Sequence, residues 1–257
     1  MAISIRGQQL RIGPVARAIN RVRRNVPQFS GGHFTREKIA STYLRGTGIE
    51  IGALHNPLRL PRRARVRYVD RMSVEDLRAQ YPELVNQSLV PVDIVDDGER
   101  LQTVATATQD FVIANHFLEH CQNPISAIEQ MLRVLRPGGV LYLAIPDKRY
   151  TFDSPRPSTS IAHVLGDYYG TSLTTKRQHV EEWVRMVEKV TDLTDVERHV
   201  DHLLAVDYSI HYHVWTQADL FDLLSALKTQ LGLRFDIECF VKRGYEAVFI
   251  LRTDRDS

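Results

Sequence analysis

Three groups of residues in this sequence have types and spacings that suit chemistry. They are the run Gly48-Ile49-Glu50-Ile51-Gly52-Ala53-Leu54-His55-Asn56-Pro57, a series of polar residues closing short apolar segments, and a set of histidines between positions 163 and 213. In the first, Ile49 and Ile51 flank Glu50 as in a short strand, and Gly52 lets the backbone turn tightly with no Cβ in the way. In an open α/β sheet such a turn lies at the carboxyl end of a strand, near the crevice where strand order reverses and nucleotides bind. Glu50 at the floor of that crevice suits a cation or a ribose and would repel a pyrophosphate. Leu54 and Asn56 stand where a G-x-G-x-x-G run would carry glycines, and no G-K-[ST] follows. The pattern argues against a dinucleotide or ATP.

The second group begins with Asp70, which closes Val66, Tyr68 and Val69. It follows the glycine turn by about 20 residues, the distance at which an acid in this architecture accepts from both ribose hydroxyls. A helix cap is the plainer role for such an Asp, but Ser73 already supplies the cap for the helix that follows. Leu89 to Val92 read as a third strand ending at Asp93, with Asp96-Asp97-Gly98 beyond; these groups face a nucleotide base or form a plain acidic turn. Gln109 to Ala114 has the apolar run of a strand buried on both faces, and it delivers Asn115, His116, Glu119 and His120 to the crevice edge.

Six of the ten histidines form the third group: His163, His179, His199, His202, His211 and His213. His163 with Asp167, and His179 with Glu182, lie one helical turn apart, so each pair can present two ligands on one face. A divalent metal is therefore an alternative here, but no compact ligand motif is complete and such pairs commonly cap or bridge; no metal ligand is assigned. His211-Tyr212-His213, read as a strand, places both histidines on one face. Polar and aromatic walls of this kind suit a hydroxyl-rich acceptor.

The elements that must position these groups are legible from periodicity. Residues 8–26 carry Leu10, Ile12, Val15, Ala16, Ile19 and Val22 at helical spacing, and Thr35 to Tyr43 read as a second, short helix. Asn123 and Pro124 start a helix that buries Ile125, Ile128, Met131, Leu132 and Leu135, and Arg136-Pro137-Gly138-Gly139 ends it before a fifth strand at Val140 to Ile145. Helices at 159–169, 177–190 and 195–207 fill the next stretch, Thr216 caps another, and two apolar strands about Arg243-Gly244 make a hairpin. With 257 residues, 43% hydrophobic and 25% charged, the chain is of ordinary globular type, and its net charge of +2 gives no global field for nucleic acid. Charge is concentrated at the start, where Arg6, Arg11, Arg17, Arg21, Arg23, Arg24, Arg36, Lys38 and Arg45 face one acid, Glu37. A solvated or packing helix accounts for that run; peripheral contact with a membrane surface is the sharper reading. Two cysteines and the lack of a secretory apolar segment point to a reducing cytoplasm.

E-I-G at 50–52, Y-V-D at 68–70, D-F-V-I-A-N-H-F-L-E-H at 110–120 and L-R-P-G-G-V-L-Y-L-A-I-P at 135–146 together resemble class I S-adenosylmethionine-dependent methyltransferases, including those of glycan and secondary-metabolite synthesis. The departure is G-A-L-H-N-P at 52–57, where the family has further glycines. The resemblance implies an α/β fold: a doubly wound, mostly parallel seven-stranded sheet with a C-terminal antiparallel hairpin. A basic helical extension (1–45) precedes the methyltransferase domain (46–257), which carries a helical substrate-binding lid (147–215) after the fifth strand. By the same resemblance Glu50 and Gly52 line the methionine end of S-adenosylmethionine, Asp70 binds its ribose, Asp93 and Ile94 lie near its adenine, and Asn115 and His116 border the sulfonium. The implied activity is methyl transfer, with a hydroxyl of a sugar, glycan precursor or polar natural product as acceptor. His116 is the first candidate for general base, with His179, His163, Asp147 and Tyr150 as lid-borne alternatives. A catalytically degenerate scaffold of the same fold and a membrane-recruited interaction protein are the rivals.

Overall fold

The computed structural model describes residues 34–255. The basic helix expected at 8–26 lies outside that range. Thr35 caps helix α1 (Arg36–Tyr43) by accepting from the Lys38 N–H, and the chain then enters strand β1 (Gly46–Ile51). Strand β2 (Ala64–Asp70) leads to α2 (Val74–Gln80), capped by Ser73 as its sequence requires. A two-residue strand β3 (Ile94–Val95), β4 (Gln109–Asn115), α3 (Pro124–Val134) and β5 (Leu135–Pro146) follow. Asn123 caps α3 and Pro124 occupies its first turn, where a missing N–H costs nothing.

Seven strands form one sheet in the order β3-β2-β1-β4-β5-β7-β6, where β6 is Phe235–Arg243 and β7 is Glu246–Thr253. Strands β1 to β5 pair in parallel, and β7 runs antiparallel to both β5 and β6. Strand order reverses between β1 and β4, so the crevice of a doubly wound sheet opens above Ile51 and Asn115. One face of the sheet packs Ile49, Ile51, Val112, Leu141 and Leu143 under α3 and α7 (Gln217–Thr229); the other packs Phe111, Ile113, Tyr142 and Ile250 under α1.

Between β5 and α7 lie α4 (Ile161–Tyr169), α5 (Lys176–Met186) and α6 (Leu193–Ala205). Their boundaries fall within a few residues of the periodicity. α5 and α6 build a third apolar cluster from Val180, Trp183, Val184, Val196 and Val200. Arg156 is buried at its edge, with Nη1 donating to Asp153 (2.9 Å) and to the His211 carbonyl (2.8 Å) and Nε to Glu182 (2.7 Å).

Three expectations are corrected. Leu89 to Val92 are irregular, and the third strand is Ile94–Val95: the Asp93 carboxylate accepts from the Tyr68 N–H (2.8 Å) and sets the pairing one step later. His211-Tyr212-His213 is not a strand. Its backbone is held by the Glu119 carbonyl, which accepts from Tyr212 N (2.8 Å) and His213 N (3.3 Å), so no alternation of faces is imposed. Glu182 is drawn to Arg156 and does not pair with His179 on a common ligand face. No helix among the described residues is long and apolar enough to cross a membrane.

Candidate active site

β1 ends at Ile51, and Gly52 continues with φ +63°, its N–H donating to the Val69 carbonyl (2.9 Å). A Cβ here would meet nothing nearer than Phe117 Cδ2 at 3.8 Å, so the demand for glycine comes from the left-handed backbone and leaves open space above the turn. Glu50 is wholly buried one residue before the strand end. Its carboxylate accepts from Leu58 N (3.0 and 3.2 Å) and Asn115 Nδ2 (3.2 Å), tying the loop after β1 to the end of β4. Burial pushes the Glu50 carboxyl up to about 7, and these hydrogen bonds only partly offset that. The Oδ1 of Asn115 is buried without a partner, an acceptor held at the crevice.

Asp70 closes β2. Its Oδ1 accepts from Arg71 N (2.8 Å), and burial raises its carboxyl despite that bond. An open groove lined by Arg71, Met72, Ser73 and Val95 runs beside it. Ile94 pairs with Val69, whereas Asp93 stands before β3, with its carboxylate committed to Tyr68. The carboxyl end of β3 carries Val95 and Asp96, and Asp96 accepts from the Thr103 N–H and hydroxyl (both 2.7 Å).

His116 follows β4 with φ +51°, its N–H donating to the Ala144 carbonyl (2.7 Å). A non-glycine residue in this region is uncommon and is kept only where the surroundings impose it. Here they do. His116 Nε2 lies 2.9 Å from Glu246 Oε2, and Nδ1 lies 3.5 Å from Glu119 Oε1. Glu246 is wholly buried and also accepts from Arg36 Nε (2.9 Å), Arg36 Nη2 and Arg243 Nη1 (2.8 Å). Burial pushes its carboxyl up, but His116 and Arg36 prevail and hold it well below the usual carboxylate range. Because β7 is antiparallel, its first residue pairs with Pro146 at the carboxyl end of β5, which is how a C-terminal glutamate reaches this crevice. Glu119, fully buried with both oxygens unpartnered, is pushed up to about 7 by burial.

The other proposed residues lie in two further places. Asp147 accepts from Arg149 Nε (2.9 Å), Nη2 (2.6 Å) and N (3.1 Å), and the Tyr150 hydroxyl meets Lys242 Nζ (2.9 Å). His163 and His179 instead converge with Asp167 and His213 within the lid. His120, expected to be structural, contacts the Ile210 carbonyl (2.9 Å) and Ser209 through Nδ1, and burial lowers its imidazole to about 3. Reading the sequence missed Arg36, Arg243 and Glu246. The one local signal was an acid heading the otherwise apolar run Ala247 to Leu251.

Residues 46–143 match the family model described as a methyltransferase domain. No curated protein matches the chain. Among solved structures, a candidate Zn-dependent alcohol dehydrogenase of Rhodobacter sphaeroides is 16% identical, with 82% of this chain and 85% of that one covered at a TM-score of 0.48. An S-adenosylmethionine-dependent methyltransferase of Thermotoga maritima, described as a possible histamine N-methyltransferase, is 14% identical over 82% and 83% at 0.43. Another such methyltransferase, from Methanosarcina mazei, is 15% identical over 87% and 95% at 0.42.

Proposed function

We propose that this chain is a class I S-adenosylmethionine-dependent methyltransferase and that it methylates a hydroxyl group with His116 as the general base. The observation that carries the reading is His116 at the end of β4, forced into a left-handed conformation and held by an ionised, buried Glu246. The residues of the crevice fit the cofactor. The orphaned Asn115 Oδ1 suits the ammonium of its methionine end, the space above Gly52 admits its backbone, and Asp70 suits ribose hydroxyls. Val95 to Gly98, at the carboxyl end of β3, take the adenine side in place of Asp93. Bound there, the cofactor supplies an electrophilic methyl whose sulfur leaves as a neutral thioether.

The protein's own part is alignment and proton transfer. Holding two reactants in line lowers a barrier by about 7–11 kcal/mol. Glu246 accepts a hydrogen bond from the Nε2–H of His116 and fixes the tautomer, so Nδ1, 3.5 Å from Glu119 Oε1, would be the nitrogen that accepts the proton of the acceptor hydroxyl. The negative charge of Glu246 then stabilises the imidazolium, as an orienting carboxylate does for a catalytic histidine. Asp147 is saturated by Arg149 and is a weaker candidate, and Tyr150 stands with Lys242 at the lid margin. The polar and aromatic lid, with Tyr150, Arg149 and Lys148 at its start, suits a polyhydroxyl acceptor such as a sugar. The basic residues before position 34 are read as a peripheral membrane contact, and deletion of residues 1–30 should abolish sedimentation with anionic liposomes.

Calorimetric titration with S-adenosylmethionine and S-adenosylhomocysteine, with NADH as control, tests the cofactor crevice. Saturable binding of the sulfur nucleotides alone is expected, followed by methyl transfer to polyhydroxyl acceptors. Binding without transfer to any acceptor would favour a degenerate scaffold.

A further inference from the structure

His163 and Asp167 lie on α4, His179 on α5, and His213 on the segment leading into α7. Their ligand atoms all fall within 4.8 Å of one another. The three imidazoles form a nearly equilateral triangle, with centroids 5.1 Å (His163–His179), 5.3 Å (His163–His213) and 5.3 Å (His179–His213) apart. Their planes cross at 84°, 66° and 78°, so the rings are splayed and not stacked.

That triangle has a dimension set by coordination chemistry. A Zn–N bond of about 2.0–2.1 Å plus an imidazole radius of roughly 1.15 Å puts each ring centre about 3.2 Å from a metal, and tetrahedral angles then separate the centres by about 5.2 Å. The observed separations bracket this value. The same angles place neighbouring ligand atoms about 3.3 Å apart. His163 Nε2 and Asp167 Oδ2 lie 3.1 Å apart.

The hydrogen-bonding record supplies an independent observation. His163 Nε2 and Asp167 Oδ2 are buried and paired across 3.1 Å without a well-aligned hydrogen bond, and His213 Nδ1 is buried with no hydrogen-bond partner. Buried polar atoms left short of partners are costly, since each forgoes its bond to water. A cation at the centre of the cluster satisfies His163 Nε2 and Asp167 Oδ2 together. His213 Nε2 lies 3.6 Å from Asp167 Oδ2 and 3.4 Å from the Gln122 carbonyl, so it is the His213 nitrogen that stands against the other ligands.

We propose that His163, Asp167, His179 and His213 bind one divalent transition metal, Zn²⁺ by geometry and donor set. Three imidazoles disfavour Mg²⁺ and Ca²⁺, which take oxygen ligands, and four protein ligands around a d¹⁰ ion describe a closed, structural site. The metal ties α4 and α5 to the segment that enters α7 and so fixes the parts of the lid to one another. It also commits His163 and His179 to ligation, leaving the base role to His116. None of the four ligands is among the residues read as holding the cofactor, and the proposal does not depend on what the chain methylates.

The test measures metal on the full-length chain, stripped with a chelator, reloaded with Zn²⁺ and dialysed, by plasma mass spectrometry and by Co²⁺ substitution. The expected result is one Zn²⁺ per chain, a higher melting temperature than the stripped chain, and the intense visible bands of four-coordinate Co²⁺. Asp167→Ala and His179→Gln should each weaken Zn²⁺ binding by more than about 100-fold, the upper end of what losing a merely orienting partner costs. His202→Ala, at an exposed histidine outside the cluster, should retain full metal. A folded wild-type chain that takes up no stoichiometric Zn²⁺ overturns the proposal. So does metal retained in both ligand variants, or metal lost only on His211→Ala, which would place it with Glu119, His120 and His211 instead.

Discussion

His116 and Asp70 are separable by kinetics, because one is read as serving the reaction and the other the cofactor. His116→Ala should lower kcat by about two to four orders of magnitude while leaving the dissociation constant for S-adenosylmethionine nearly unchanged. Asp70→Ala should instead weaken cofactor binding by roughly 10- to 100-fold, the worth of hydrogen bonds to a charged group at about 1.5–3 kcal/mol. Calorimetry beside steady-state rates checks both, and the reverse pattern would exchange their roles. Glu119 makes a separate prediction about pH. Its folded carboxyl sits at about 7 against an ordinary 4.5, so the native state holds an extra proton between those values and stability falls as pH rises through that window. Thermal melts from pH 4.5 to 8 should show the fall, and Glu119→Gln should reduce it by up to roughly 3 kcal/mol, with Glu50 and Glu188, each also raised to about 7 by burial, contributing to what is left.

The lid helices are held as much by a buried charge as by their apolar stripes. Arg156 spreads its guanidinium over Asp153, Glu182 and the His211 carbonyl, all within 2.9 Å. Arg156→Ala should destabilise the chain by about 3–5 kcal/mol, since it leaves Asp153 buried and short of a partner. Hydrogen exchange should place the loosening in α5 and α6 ahead of the sheet. Arg156→Lys should not restore stability, because a single ammonium cannot reproduce the planar fork. These helices were readable at the level of the element: Val180, Trp183, Val184 and Val187 recur at helical spacing, and Ser160, Thr175 and Asp192 cap where the periodicity begins. The third strand was misplaced because Leu89 to Val92 is the more apolar stretch, whereas the pairing was settled by Asp93 gripping Tyr68.

Across the whole molecule, cofactor binding and folding are linked. A ligand at 100 times its dissociation constant adds about 2.7 kcal/mol to stability, which in a chain of this size is a rise in melting temperature of roughly 5–11 °C. S-adenosylhomocysteine should produce that shift and NADH should not. The shift should persist in His116→Ala and shrink in Asp70→Ala, which ties the whole-molecule readout to the same two residues. The antiparallel β7 is the feature of global architecture that matters most for the site. It brings Glu246 to the carboxyl ends of parallel strands, and through Arg36 it anchors α1 to the same point.

What the sequence by itself determined was local. The turn at Gly52, the acid closing β2, the residues closing β4 and the capped helices all follow from short-range periodicity, caps and backbone freedom. Tertiary structure decided the partners. His116 meets Glu246 across 130 positions, and four ligands from two helices and an irregular segment converge on one centre. Neither encounter leaves a short-range mark, since strand order and the path of residues 209–214 set which distant side chains share a space. The same reason explains why H-Y-H looked like one strand face and became two clusters, His211 with Asp153 (2.7 Å) and His213 with His163 and His179.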